Sequence, residues 1–299
     1  MRNSRVLSLA VTVLAFLAMA WPAVAESRLE ENLELQPKGL FILDSDAGSV
    51  SLTGSSRPGA RLVITSDRND LNRDFDFNFE GKGSEARVTV RRKGDWGWSH
   101  SVSLHFEIEV PAETRTQIRT GGGSVKVSGL RGESSLKTSG GSIDVTGLNG
   151  NLDAHTSGGS MHIREVTGDA RVETSGGSID AEAIAGNLRA HTSGGGIHVE
   201  GVTGYLEAKT SGGPIRARYS RGDTRGGDLE TSGGSIDVAV DPAANLDLDA
   251  STSGGSVTSD VSVRVVGTIS HSNLHGSIGS GGEPLRLHTS GGSIHIRAL

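Results

Sequence analysis

A six-residue phrase, Thr-Ser-Gly-Gly-Ser-Ile or a near copy, recurs along most of the chain, and for six copies it recurs every 18 residues. Its threonines are Thr120, Thr138, Thr156, Thr174, Thr192 and Thr210; the step then lengthens to 21 for Thr231 and Thr252, and a last copy stands at Thr289. A short fixed period means that one small unit is stacked on itself. Thr138 to His155 serves as the type unit. Ile143 and Val145 alternate with Ser142 and Asp144, the pattern of a strand with one buried face. Thr146-Gly147 and Asn149-Gly150 turn the chain around an inward Leu148. Leu152 and Ala154 then alternate with Asp153 and His155, and Ser157-Gly158-Gly159 makes the next corner.

The five inward positions return as Met161, Ile163, Val166, Ala170 and Val172, and again as Ile179, Ala181, Ile184, Leu188 and Ala190. Identical strands displaced by one coil pair in parallel about 4.8 Å apart. The pattern predicts an all-β fold, a parallel β-solenoid (β-helix) with about 18 residues per coil, wound right-handed. Five buried side chains contribute at most ~10 kcal/mol per coil. Ordering each residue of backbone costs ~1–2 kcal/mol, so neighbouring coils must stabilise one another as an array. About ten coils are expected over residues 120–299, with an irregular β section, residues 26–119, capping and starting the stack.

Parity places the repeated threonines inward, methyl toward the core and hydroxyl toward the backbone. An exposed, ice-binding ladder would need two outward threonines per coil, and only isolated coils offer more than one. Two outward columns read Lys126, Asp144, His162, Asp180, His198, Arg216, Asp237 and Lys137, His155, Glu173, His191, Lys209, Glu230. Opposite or neutral partners mostly alternate, as a solvated face requires, since like charges stacked directly opposite repel.

The first 25 residues read as a removable export signal: Arg2 and Arg5, an apolar run from Val6 to Met19, a break at Pro22, and Ala23-Val24-Ala25 before Glu26. The run falls short of the roughly 20 residues that a spanning helix needs. After cleavage no integral membrane segment is expected, and the location is periplasmic or extracellular. The chain has no cysteine, hence no disulfide framework. Without Arg2 and Arg5 the basic residues fall from 29 to 27 against 35 acids, a net charge of −8. That speaks against nucleic acid or an anionic membrane as a general partner. Glycine, at 44 of 299 residues, is about twice its usual share, but the strict period separates this chain from a Gly/Ser linker.

Several chemistries fit poorly. His155 and His191, like His162 and His198, stand two coils apart, ~10 Å along the stack. One ion would need Glu173 or Asp180 as co-ligand, so a weak surface zinc site competes with ordinary solvated ladder residues, which are the default. Calcium rolls need an aspartate in each nine-residue unit, whereas Asp144, Asp180 and Asp237 are separated by His162 and Arg216. The inward spacing of 2, 3, 4 and 2 fails the hexapeptide acyltransferase template, which places an aliphatic residue every six. No cofactor is expected. No nucleophile, paired-carboxylate or groove cluster stands out, so the chain reads as non-enzymatic, with a glycan-active enzyme as a remote alternative. Arg221-Gly222-Asp223 matches a tripeptide read by integrins; the plainer reading makes Gly222 a turn glycine in line with Gly150, Gly168, Gly186 and Gly204. The most individual stretch carries Arg91, Arg92, Lys93, Trp96 and Trp98. Two tryptophans beside three cations could hold a sugar ring or an anionic head group. The competing reading is a hairpin tip whose tryptophans cover the core near Phe75, Phe77, Phe79 and Phe106.

Leu33-Glu34-Leu35, the degenerate phrase Ala47 to Gly54, the segment Val110-Pro111-Ala112-Glu113-Thr114 and the Gly-Gly-Ser-Ile repeats follow one another in that order. On these marks the chain, from Leu33 to Leu299, resembles the bacterial putative-adhesin family of exported β-strand-repeat proteins, most of them of unknown function. The resemblance implies a β-solenoid outside the cytoplasm and brings no catalytic or ligand residues. The chain departs from a surface-anchored protein in showing no lipoprotein cysteine, C-terminal barrel or sorting signal. The expected role is a binding or scaffold protein of the envelope, with an envelope protein or glycan as partner. The alternative is a structural, self-assembling element: the last strand, Ser293 to Ala298, reads as an open edge that would join molecules end to end.

Overall fold

The computed structural model describes residues 27–67, 70–94, 103–222, 225–265 and 270–299; the export signal expected over residues 1–25, Trp96, Trp98 and Asp223 lie outside these residues. The protein is an all-β solenoid. Two sheets, of 13 and 14 strands, face each other across one continuous apolar core. Each repeat coil gives one strand to each sheet. In the type unit these are Ile143–Asn149 in the smaller sheet and Leu152–Thr156 in the larger. Neighbouring coils pair in parallel and in register, Thr138 on Thr156 and Thr156 on Thr174. Ile143, Val145, Leu148, Leu152 and Ala154 are all buried, and so are their counterparts in the next two coils.

The corner phrase has a defined job. All nine repeat threonines are buried. The Thr156 hydroxyl donates to the Gly141 carbonyl of the preceding coil at 2.8 Å, and Thr174, Thr192 and Thr210 repeat the bond to Gly159, Gly177 and Gly195 at the same distance. A buried hydroxyl and a corner carbonyl that helix or sheet bonding would leave unpaired thus satisfy each other. The second glycine of each phrase lies against the same carbonyl, so the corner is both bonded and close-packed.

The order of coils along the rod departs from chain order at both ends. The strands Leu35–Ser45 and Ser49–Ser55 form a coil that lies between Arg115–Thr120/Val125–Leu130 on one side and Gly83–Arg92/Leu104–Pro111 on the other. Beyond them the rod is closed by antiparallel strands: Ala60–Ser66 pairs on Leu104–Pro111, Ser27–Leu33 on Ala60–Ser66, and Phe75–Gly81 on Gly83–Arg92. At the opposite end, the last coil, Glu283–Thr289 and Ile294–Ala298, is inserted between the coil of Gly227–Thr231/Ile236–Val240 and the coil of Leu246–Thr252/Val257–Ser259.

This insertion corrects the expectation of an open last strand. Ile294–Ala298 is paired on both sides, to Ile236–Val240 and to Val257–Ser259. Among the described residues the edges at this end are instead Val257–Ser259 and the two-residue strand Arg264–Val265. Such short edges offer little template for another chain. Among the described residues no helix is long and apolar enough to cross a membrane.

Candidate functional site

Residues at three places depart from the repeat or face outward with charge. The first is the cationic run at Arg91. Arg91 pairs with Asp44 at 2.5 Å and Asp46 at 3.4 Å. The Arg91 hydrogen bond holds the Asp44 carboxyl below the usual carboxylate range and in turn raises the guanidinium. The Arg92 guanidinium lies 6.0 Å from the centroid of the Phe75 ring, a cation–π distance. Lys93 Nζ contacts Asp76 at 2.8 Å and donates to the Asn72 carbonyl at 2.8 Å. The fold therefore brings Arg91, Arg92 and Lys93 together, but each is already engaged within the chain. Phe75 is buried, while Phe77 and Phe79 stack at 6.2 Å and are half-buried at this end of the rod.

The second place is the lengthened period. The pairing shifts by one residue so that Tyr219 stands opposite Val202, in the column of Leu148, Val166 and Ile184. Tyr219 is 2 % exposed and donates its hydroxyl to the Gly226 carbonyl at 3.1 Å. Burial pushes the phenol well above its ordinary pKa. Gly227 takes the position that Leu206 fills one coil earlier. A large residue in one sheet thus meets the smallest in the other. Gly222 does not continue the column of Gly150, Gly168, Gly186 and Gly204: those glycines pack against the backbone of the coil beneath, while Gly222 faces open space with φ 78°. Arg221 and Gly222 stand in an exposed turn there, and this departs from the in-line turn expected from the sequence. The break is a solution to core packing, and its tyrosine is not a surface ligand.

The third place is the outer faces. The column Lys126, Asp144, His162, Asp180, His198, Arg216, Asp237 is in register throughout. His162 lies 3.6 Å from Asp180, and Glu173 lies between His155 at 3.8 Å and His191 at 4.0 Å. Among the described residues no group of three or more His, Asp or Glu is arranged to hold a metal ion. Some columns do stack like charges. Arg171 stands opposite Arg189, but Arg171 is paired to Glu173 at 2.6 Å and Arg189 to Glu207 at 3.2 Å. Glu182 stands opposite Glu200, and Arg164 and Arg218 neutralise them at 3.3 and 3.7 Å. Arg119 stands between Lys137 and Asp44 in the larger sheet, and among the described residues neither Arg119 nor Lys137 forms an ion pair or hydrogen bond. Sequence reading began this column at Lys137; the signal was available, because 119 is one period earlier.

A family model, Toastrack DUF4097, matches residues 185–297, which is short of half of the chain. No curated protein matches. Among solved structures, a putative cell adhesion protein from Clostridium sporogenes is 11% identical, covering 91% of this chain and 100% of its own, at a TM-score of 0.23. A putative adhesin from Bacteroides fragilis is 12% identical over 93% of this chain and 99% of its own, at 0.42. A putative lipid binding protein from Parabacteroides distasonis is 15% identical over 92% of this chain and 96% of its own, also at 0.42. Likeness at these TM-scores and identities establishes no shared function.

Proposed function

We propose that the chain is a non-enzymatic binding rod of the bacterial envelope, exported to the periplasm or cell surface, which presents the outer face of its larger sheet to an acidic envelope protein or glycan. The observation that carries this reading is the Arg119–Lys137 stack. Cations one coil apart, about 4.8 Å, repel each other. Elsewhere on the same face each such cation has its own carboxylate, whereas here the one carboxylate in line, Asp44 opposite Arg119, is held by Arg91 at 2.5 Å and Lys137 stands between Arg119 and His155. An anionic partner bridging Arg119 and Lys137 would relieve the repulsion, and Arg115 is exposed on the same strand face to extend the contact. The net negative charge of the rest of the chain favours a local contact over general adhesion to anionic surfaces. Non-enzymatic character follows from where the repeat residues go: inward side chains into the core and corner residues into backbone contacts. Export rests on the leader features of residues 1–25. Trp96 and Trp98, which follow Arg91, Arg92 and Lys93 in the sequence, are a second proposed contact.

Binding of the purified protein to isolated envelope fractions tests this. Arg119→Gln with Lys137→Gln is expected to weaken binding at least tenfold while leaving thermal unfolding unchanged or slightly improved. Trp96→Ala with Trp98→Ala is expected to have the smaller effect. Full retention of binding by the Arg119/Lys137 variant at physiological salt would remove the proposed surface, and failure of the unaltered protein to bind any fraction would remove the binding role.

A further inference from the structure

The last coil fills a gap left open by the rest of the chain. Between Val240 and Leu246 the chain climbs two coil spacings, ~10 Å, over the short link of residues 241–245, and the last coil enters the gap. It is held there as any other coil is held. Thr289 stands between Thr231 and Thr252. The Thr289 hydroxyl donates to the Gly234 carbonyl at 2.7 Å, and the Thr252 hydroxyl donates to the Gly292 carbonyl at 2.7 Å. Leu285, Leu287, Ile294 and Ile296 are buried. On the outer face Arg297 pairs with Asp237 on one side, and His295 Nε2 lies 3.2 Å from Asp260 on the other. The gap therefore selects a Thr-Ser-Gly-Gly-Ser-Ile coil through corner bonds, inward side chains and register. None of these depends on which chain supplies it.

The joint that leads into this coil is suited to reversal. Residues 279–282 read Gly-Ser-Gly-Gly, and the three glycines have φ of 62°, 79° and 159°. The joint rests on the lip of the gap, where Ser280 N and Oγ donate to Asn245 Oδ1 at 2.9 and 2.8 Å. An empty gap would expose four strand edges at once, so an opened chain must be refilled. We propose that the last coil, residues 283–299, is an exchange element: a second copy of this chain inserts its own last coil into the gap, and the two copies interlock reciprocally. Every contact of the coil is preserved in the exchange and only the glycine joint changes course, the condition under which exchange between identical chains is least costly.

The absence of cysteine makes the test direct. Ser293 N donates to Ser235 Oγ at 3.3 Å across the boundary of the gap, and both serines are exposed. Adjacent strands are at a spacing that a disulfide can bridge. Full-length S235C and S293C chains, distinguishable by mass, are unfolded together, refolded over a range of concentrations, then oxidised and separated without reductant. Exchange predicts a mixed S235C–S293C dimer that exceeds either homodimer at least tenfold and rises with concentration during refolding. In the S235C/S293C double variant, the within-chain disulfide should dominate in dilute refolding and give way to interchain disulfide in concentrated refolding. A mixed dimer no more abundant than the homodimers, or a within-chain disulfide at every concentration, would overturn the proposal.

Discussion

Alanine at Gly159 is expected to destabilise the rod by about 3 kcal/mol or more, whereas alanine at Gly158 is expected to cost less than about 1 kcal/mol. The two glycines are adjacent in the same corner phrase, and neither has positive φ, so backbone preference does not separate them. What separates them is the coil beneath. A methyl group on Gly159 would overlap the carbonyl carbon and oxygen of Gly141, which are backbone atoms held by strand pairing on either side. On Gly158 the nearest atom would be the Gly140 oxygen at 3.4 Å, an ordinary contact. The Gly159 column repeats at Gly177, Gly195 and Gly213, so the effect should recur one period away. Urea unfolding followed by circular dichroism reads both changes. Equal losses at the two positions would mean that the second glycine of the corner does not lie against the carbonyl of the coil beneath.

Tyr219→Ala is expected to cost about 4 kcal/mol, in the range of large-to-small changes at sites that cannot collapse. Tyr219 fills its own column and the space above Gly227, and Gly227 has no side chain with which to refill it. The reciprocal change is informative. Gly227→Leu restores the residue type of Leu206 and Leu188, yet it should destabilise, because its Cβ would meet the Tyr219 hydroxyl and stand 2.7 Å from the Leu206 carbonyl oxygen. Combined with Tyr219→Leu, the pair should cost at least ~2 kcal/mol less than the sum of the single changes, the coupling expected of side chains in direct contact. Strict additivity would show that the two residues do not share one space.

The alternation of Ile143, Val145, Leu152 and Ala154 was enough to place the strands, and the parity of the threonines was enough to turn them inward. Both are local consequences of chain geometry. The stacking order is different in kind. The corner bond is the same at ordinary junctions and at the inserted coil, so the sameness that reveals the solenoid erases the information about which copy goes where. For that reason the last strand reads as an edge in the sequence and is an interior strand in the structure. The Tyr219–Gly227 exchange of volume was illegible for a related reason, since it joins two strands across the core and leaves no periodic trace. Of the candidate contacts, the engagement of Arg91, Arg92 and Lys93 depends on Asp44, Phe75 and Asp76, which only the fold brings near. The Arg119–Lys137 stack, by contrast, was legible as two cations one period apart.

Coils are placed by their corner phrase and not by chain order, and the final coil is where the two differ. Hydrogen exchange of its backbone amides separates them. With the coil inserted, amides of Leu285 to Thr289 and Ile294 to Ile296 should exchange as slowly as those of Leu206 to Thr210 in the middle of the rod, and much more slowly than those of the true edge at Val257 to Ser259. Exchange in Ile294 to Ile296 as fast as in a fraying terminus, with strong protection at Val257 to Ser259, would contradict the insertion and return the chain to a stack in simple sequence order.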